Sequence, residues 1–234
     1  MTRSLFRYVK TSPEISQLAV MMVVRFALSM RNIEDLRHER GIDVCHESIG
    51  RWLDRFGPFF TATIRKKRSR SIHRVTQWRW HLDEIFVKIA GQTHYLWRAI
   101  DHEGEVHEVF VTKTRDKASA LKFLKKAMKR YGRPNVIVTD GLASYRAAMN
   151  ELGNEDKQQT QQYSNNQAEN SHQPFRRRER AMLRFRRLPH LQKFASTHAS
   201  VHNHFNVQRH LSSRPIFKAN RENALQEGRT LIAA

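Results

Sequence analysis

The chain has 234 residues, with 42 Lys and Arg against 22 Asp and Glu, for a formal net charge of +20. That length builds one large domain or two modest ones around a real core. A field of this sign draws polyanions, with nucleic acid as the default partner, and the single cysteine, Cys45, excludes an internal disulfide or a Cys-based zinc site and fits a reducing cytosol.

The N-terminal "MTRSLFRYVKTSPEIS" lacks the apolar core and cleavage site of a signal peptide, and the apolar run "LAVMMVV" is too short to span a bilayer. The basic residues fall between core-forming segments rather than along one amphipathic helix, which argues against a membrane partner. The expectation is a soluble intracellular protein.

The first predicted element is a helix opened by Ser12 and Pro13, with Ile15, Leu18, Ala19, Met22 and Phe26 at inward spacing. A short helix follows from about Met30, with Ile33 and Leu36 inward and Gly41 as its stop. In "CHESIGRWLDRF" (45–56), Ile49, Trp52, Leu53 and Phe56 form one apolar stripe. Two helices joined by a glycine-containing turn suggest a helix-turn-helix over residues 1–60, with His46, Ser48 and Arg51 outward as candidate DNA contacts. A small three-helix bundle has the same pattern. Cys45 is a poor cap, and Gly50 costs the helix about 1 kcal/mol relative to Ala. "TIRKKRSRSIHR" reads as a basic linker, assigned to 61–76.

From Trp78 the texture changes to β-branched and aromatic residues. Strands are predicted over 78–89, 92–101 and 105–114, with turns at Gly91 and Gly104. A helix (117–132), the short apolar strand "NVIVTD" (135–140) and a helix (142–153) follow. This order is that of an α/β RNase H-like core, here 77–187, with helices and a tail over 188–234 and breaks at Pro174 and Pro189.

Asp83 lies inside the first strand, Asp140 ends the fourth, and Glu169 stands near the start of a later helix, with 56 and 28 residues between them. Asp83 alone reads as an edge residue or an arginine partner, and Asp140 alone as a helix cap. In an RNase H-like sheet, however, the first and fourth strands are neighbours, and a helix crossing the sheet brings the glutamate to both. Crowded carboxylates call for a hard divalent cation, Mg²⁺ or Mn²⁺, and two such ions suit in-line phosphoryl displacement. His172 and Arg176 lie three and seven residues beyond Glu169, near its helix face, as candidate DNA contacts. Arg177, Arg178 and Arg180 read as solvated or phosphate-facing surface. Glu84, next to Asp83, is set aside because strand alternation points it to the opposite face.

With "WHLDEIFVKI", "VIVTDG" and "NNQAENSH", the chain resembles bacterial insertion-sequence transposases of the DDE type, family six, in which a helix-turn-helix precedes a retroviral-integrase-like core. The resemblance implies Asp83, Asp140 and Glu169 as the acidic triad, and Arg176 as the basic residue that contacts substrate DNA. It also implies metal-dependent 3′-end cleavage and strand transfer at terminal inverted repeats and target DNA, oligomeric synapsis of two ends, and a bacterial cytoplasmic, nucleoid-associated location. The interval between Asp140 and Glu169 is short for such a family, and the missing length falls in "KQQTQQYSNNQ", where a fifth strand belongs. An RNase H-like nuclease would share the triad but leave the N-terminal helices without a task. A non-catalytic DNA-binding regulator would leave two buried acids idle. His198, His202 and His204 lack the glutamate and further ligands of a zinc site, and they read as packing or phosphate contacts. Tyr95, Trp97, Phe185 and Phe194 read as core.

Overall fold

The computed structural model describes residues 11–72, 79–102, 104–160, 165–182, 185–206 and 213–233. At the N-terminus, α1 (Pro13–Arg25) is capped by Ser12, whose hydroxyl accepts from the Ile15 N–H. α2 (Met30–His38) opens on a capping box between Ser29 and Asn32 and stops before Gly41, whose φ of +69° suits only a residue without a side chain. α3 (His46–Ile72) buries the expected stripe of Ile49, Trp52, Leu53 and Phe56.

Two expectations need correction here. The basic segment is not a linker as far as Ile72, because α3 runs straight through Gly57 and Pro58 into it; residues 73–76 lie outside those described. α1, α2 and α3 share one apolar core with the sheet and a later helix. On α1 the buried set is Ala19, Val20, Val23 and Val24, one residue round from the predicted face, leaving Leu18 and Phe26 about half exposed.

The sheet holds β1 (Arg79–Ile89), β2 (Gln92–Asp101), β3 (Val106–Thr112), β4 (Val136–Val138) and β5 (Gln158–Gln159), in the order β3-β2-β1-β4-β5. β2 alone runs antiparallel to its neighbours, the arrangement of an RNase H-like core. The β1–β2 hairpin turns through Ala90 and Gly91, both at positive φ. The fifth strand exists as a two-residue stub paired with Ile137 and Val138, so the glutamine-rich segment still completes the sheet; residues 161–164 are outside the described set.

One sheet face carries Trp80, Leu82, Trp97 and Ala99 against α4 (Lys117–Tyr131) and α5 (Ala143–Glu151). The other carries Ile85, Val87, Leu96, Val109 and Val111 against α1, α3 and α7 (Leu188–Phe205). At the β3 edge, the Gln192 side chain of α7 accepts from Val111 N–H (2.8 Å) and donates to Val109 C=O (3.0 Å); Asn203 does the same for both backbone groups of Val106. α7 thereby covers an edge that would otherwise pair with another chain. Where α3 crosses α7, Gly57 lies so close that a Cβ would stand 2.9 Å from Thr197 Oγ1.

α6 (Asn166–Ala181) runs unbroken past Pro174, contrary to the predicted break, and Pro189 falls instead in the first turn of α7. A final helix, α8 (Arg214–Ala233), packs back on the bundle, with Gln17 donating to Gly228 C=O and His204 2.9 Å from the Ala224 carbonyl. Among the described residues, no helix is long and apolar enough to cross a membrane.

Candidate active site

β4 ends at Val138, paired with His81, and the next strand-like partner of β1 on that side among the described residues is Phe185, bridged to Ile89, which leaves a stretch of β1 between them without a strand there. Asp83 and Glu84 stand on this unpaired stretch, and Asp140 lies just beyond the end of β4. Oxygens of Asp83, Glu84 and Asp140 come within 4.8 Å of one another. The meeting of Asp83 with Asp140 is as anticipated; the presence of Glu84 is not. Strand alternation does send Glu84 to the α5 face, yet beyond the end of β4 its carboxylate still reaches the group. Its oxygen Oε2 makes no hydrogen bond among the described residues. A set of carboxylate oxygens with a spare buried acceptor fits a hard divalent cation such as Mg²⁺.

Backbone groups fix two of these acids. Glu84 N–H donates to Asp83 Oδ1 (2.7 Å), and Leu142 N–H donates to Asp140 Oδ1 (3.1 Å). The second Asp83 oxygen lies 3.0 Å from His172 Nε2. Glu84 is all but buried, and burial raises its pKa to about 7; Arg115, in contact with it, pulls the other way, and the charges of Asp140 and Asp83 add to the rise. The buried Tyr145 hydroxyl is raised well above its ordinary value, first by burial and then by the charge of Glu84.

α6 is tied to the sheet at three points around Asp83. Asn165, at the N-cap position, uses its amide to donate to Leu82 C=O (3.0 Å) and makes no side-chain cap to its own helix. Arg98 faces Asp83 across the hairpin and donates to Ser171 C=O (2.8 Å). His172 is the third point, a close contact of its Nε2 with Asp83 that is not a hydrogen bond. Glu169 follows Asn165 by four residues and precedes His172 by three, the spacing of one helix face. It belongs to the first turn of α6, and its side chain lies outside the described residues.

Arg98 is buried, and desolvation lowers its pKa to about 10, against a rise from Asp83. Sequence reasoning passed it over, although a two-residue turn at Ala90–Gly91 fixes the hairpin register that sets it opposite Asp83. Arg176 forms an ion pair with Glu179 (2.6 Å) one turn on. Arg178 is not surface: it is buried, and both its terminal nitrogens donate to Leu28 C=O (3.1 Å each), tying α6 to the α1–α2 turn.

The N-terminal candidates lie elsewhere. His46 faces Glu34 (2.7 Å) and Glu47 (3.1 Å), Ser48 lies 3.2 Å from Cys45 Sγ, and Arg51 is exposed. His198 and His202 stack on each other among Phe175, Phe194 and two buried arginines. Burial, followed by those charges, holds His198 well below its usual pKa.

A family model described as a DDE domain, of the transposase type IS240, matches residues 77–208, more than half of the chain. The transposase for insertion sequence-like element IS431mec of Staphylococcus aureus is 35% identical over 144 residues, 62% of each chain. The transposase for insertion sequence element IS257 in transposon Tn4003, from the same species, matches to the same extent. The chain thus spans about 62% of the length of these curated relatives. Among solved structures, the simian T-cell lymphotropic virus intasome in complex with PP2A regulatory subunit B56 gamma is similar over 59% of this chain and 52% of its own, at 17% identity and a TM-score of 0.46.

Proposed function

The chain belongs to the DDE-domain transposase family, and from that premise we propose that it cuts DNA at the ends of its own insertion sequence and joins the freed 3′ ends to target DNA. The observation that carries this reading is the convergence of Asp83 and Asp140 at the end of β4, beside the helix that bears Glu169. Asp83, Asp140 and Glu169 are the proposed catalytic and metal-holding triad. When bound, two Mg²⁺ ions (or Mn²⁺) would activate the attacking oxygen and stabilise the leaving one.

In cleavage, the oxygen of water attacks the scissile phosphorus and the bond to the 3′ oxygen breaks, leaving a 3′ hydroxyl and a 5′ phosphate. In strand transfer that hydroxyl attacks a target phosphorus, and the target's own 3′ oxygen departs. The chain's part is to hold its carboxylates before the substrate arrives. The N–H groups of Glu84 and Leu142 orient Asp83 and Asp140, and His172 lies against the second Asp83 oxygen. Preorganisation of this kind spares reorganisation at the moment of reaction.

Basic side chains on α3 and α6 form the proposed basic face and supply affinity. Arg176 on α6 and Arg51 on α3 are the proposed phosphate or base contacts, with Ser48 beside the latter. His46, at the start of α3 beside Glu34 and Glu47, is a further proposed DNA contact. Two ends brought together by a homo-oligomer, in the bacterial cytoplasm and at the nucleoid, complete the proposal.

The test is a cleavage and strand-transfer assay on labelled DNA carrying the sequence that flanks the gene, with Mg²⁺. Products from wild type and none from Asp83→Asn, Asp140→Asn or Glu169→Gln support the reading. Binding without cleavage by wild type and all variants favours a non-catalytic DNA-binding protein.

A further inference from the structure

We propose that Arg115 contacts a DNA phosphate at the rim of this site, held there by the buried carboxylate of Glu84. The inference rests on the transposase reading above and adds a residue that neither the triad nor the basic face includes.

Arg115 sits between β3 and α4, on a backbone fixed at the next residue, where Asp116 caps α4 by accepting from Ser119 N–H (2.8 Å). Its Nη2 touches Glu84 Oε1 and lies 3.6 Å from Asp140 Oδ2, so one guanidinium joins a buried acid to a triad acid. Its Cζ stands 5.6 Å from the centre of the Phe86 ring, a side chain left half exposed on β1 beside Tyr95. A buried anion, an aromatic ring and a capped helix start therefore orient this cation from three sides.

The orientation leaves it available. The side chain is 31% exposed, whereas that of Glu84 is 1% exposed. A guanidinium carries five N–H donors in a rigid fork suited to phosphate. Nη2 meets Glu84 and Asp140, and Nε is buried without a hydrogen bond among the described residues, so a phosphate would be met by the remaining, exposed part of the fork. Glu84 is not needed to complete a set of three acids if Glu169 is the third, and it is too deep to meet DNA itself. Its position makes sense as the anchor of Arg115: it fixes the guanidinium next to Asp140, where the backbone of a bound strand must pass to reach the carboxylates.

A purely structural role, in which Arg115 only neutralises Glu84, makes a different prediction. The discriminating measurement is the affinity of the full chain for a labelled duplex carrying the flanking sequence. It is followed over a salt series in EDTA, for wild type, Arg115→Lys, Arg115→Gln, Glu84→Gln and the double variant Glu84→Gln/Arg115→Gln. One lost phosphate contact lowers the slope of log affinity against log salt by about 0.9. Arg115→Gln is expected to lose that slope and several-fold in affinity at moderate salt, Arg115→Lys to keep the slope, and the double variant to show the same slope loss. The double variant leaves no unpaired buried charge, so it reports even if Arg115→Gln folds poorly. An unchanged slope in the double variant, with wild type binding normally, overturns the proposal alone. Wild type that shows no salt-dependent binding overturns the transposase reading with it.

Discussion

Replacing Asn165 by alanine should cost activity far more than stability. Asn165 occupies the N-cap position of α6, where an asparagine ordinarily accepts from its own helix and contributes about 1 kcal/mol. Here it makes no such cap and donates instead to the buried carbonyl of Leu82, immediately before Asp83. The substitution removes one hydrogen bond and leaves that carbonyl unpartnered, a cost of about 1–3 kcal/mol. Because Asn165 Oδ1 is itself buried without a hydrogen bond, deleting it returns part of that cost. The net loss should be about 1 kcal/mol, a fall in melting temperature of roughly 2–4 °C for a chain of this size. With Glu169 in the proposed triad, activity depends on where the first turn of α6 sits. A displacement of about 1 Å at such a site can cost on the order of a hundredfold in rate. Thermal melts and strand-cleavage rates on the same preparations decide the matter. If cleavage stays near the wild-type rate while the melting temperature falls as stated, the tie to Leu82 does not position the glutamate and the reasoning fails.

Two glycines on α3 should respond to alanine with opposite signs: Gly57→Ala should lose about 1 kcal/mol net through its contact with Thr197, despite the gain in helix propensity, whereas Gly50→Ala, whose Cβ would meet Met30 Sδ at an ordinary 3.5 Å, should gain up to about 1 kcal/mol. Equal shifts in urea denaturation would contradict the close crossing. Ala90 is exposed at φ +49°, a conformation that costs an L-residue about 1–2 kcal/mol and that asparagine tolerates, so Ala90→Asn should stabilise by about 0.5–1 kcal/mol in the same assay; a loss would refute the turn assignment. Glu84, raised from 4.5 to about 7, binds its proton more tightly folded than unfolded, so metal-free protein should lose stability as pH rises from about 4.5 through 7. Glu84→Gln should flatten that dependence in denaturation measured with EDTA, and parallel curves for the two proteins would show that Glu84 is not the group responsible.

The strands and most helices were legible because their signals are local. Alternation and β-branched content marked β1 to β3, and Gly91 marked the hairpin turn. The stripe of Ile49, Trp52, Leu53 and Phe56 marked the first half of α3. What misled was local too: a basic run with no acid looks like a solvated linker, yet packing of α3 against α7 carries the helix into it. Pro174 likewise ends a helix only where nothing else holds it, and α6 is tied down on both sides of it by Asn165, Arg98, His172 and Arg178. Within the site, Asp83 and Asp140 followed from strand adjacency. Glu84 did not, because alternation gives a side chain's face and says nothing of where the neighbouring strand stops. Arg178 looked like one more cation in a basic run; its burial depends on Leu28, 150 residues away in the chain.

The central claim is that Asp83, Asp140 and Glu169 jointly hold divalent metal for phosphoryl transfer. Its most direct test is Mn²⁺ binding to the full chain, followed by electron paramagnetic resonance, for wild type, Asp140→Asn and Glu169→Gln at matched protein concentration. Wild type should bind Mn²⁺ and each variant should show a marked loss of affinity, with Mg²⁺ competing for the same site. Wild-type binding in Glu169→Gln would contradict the claim, and would put the metal on Asp83, Glu84 and Asp140 without the helix.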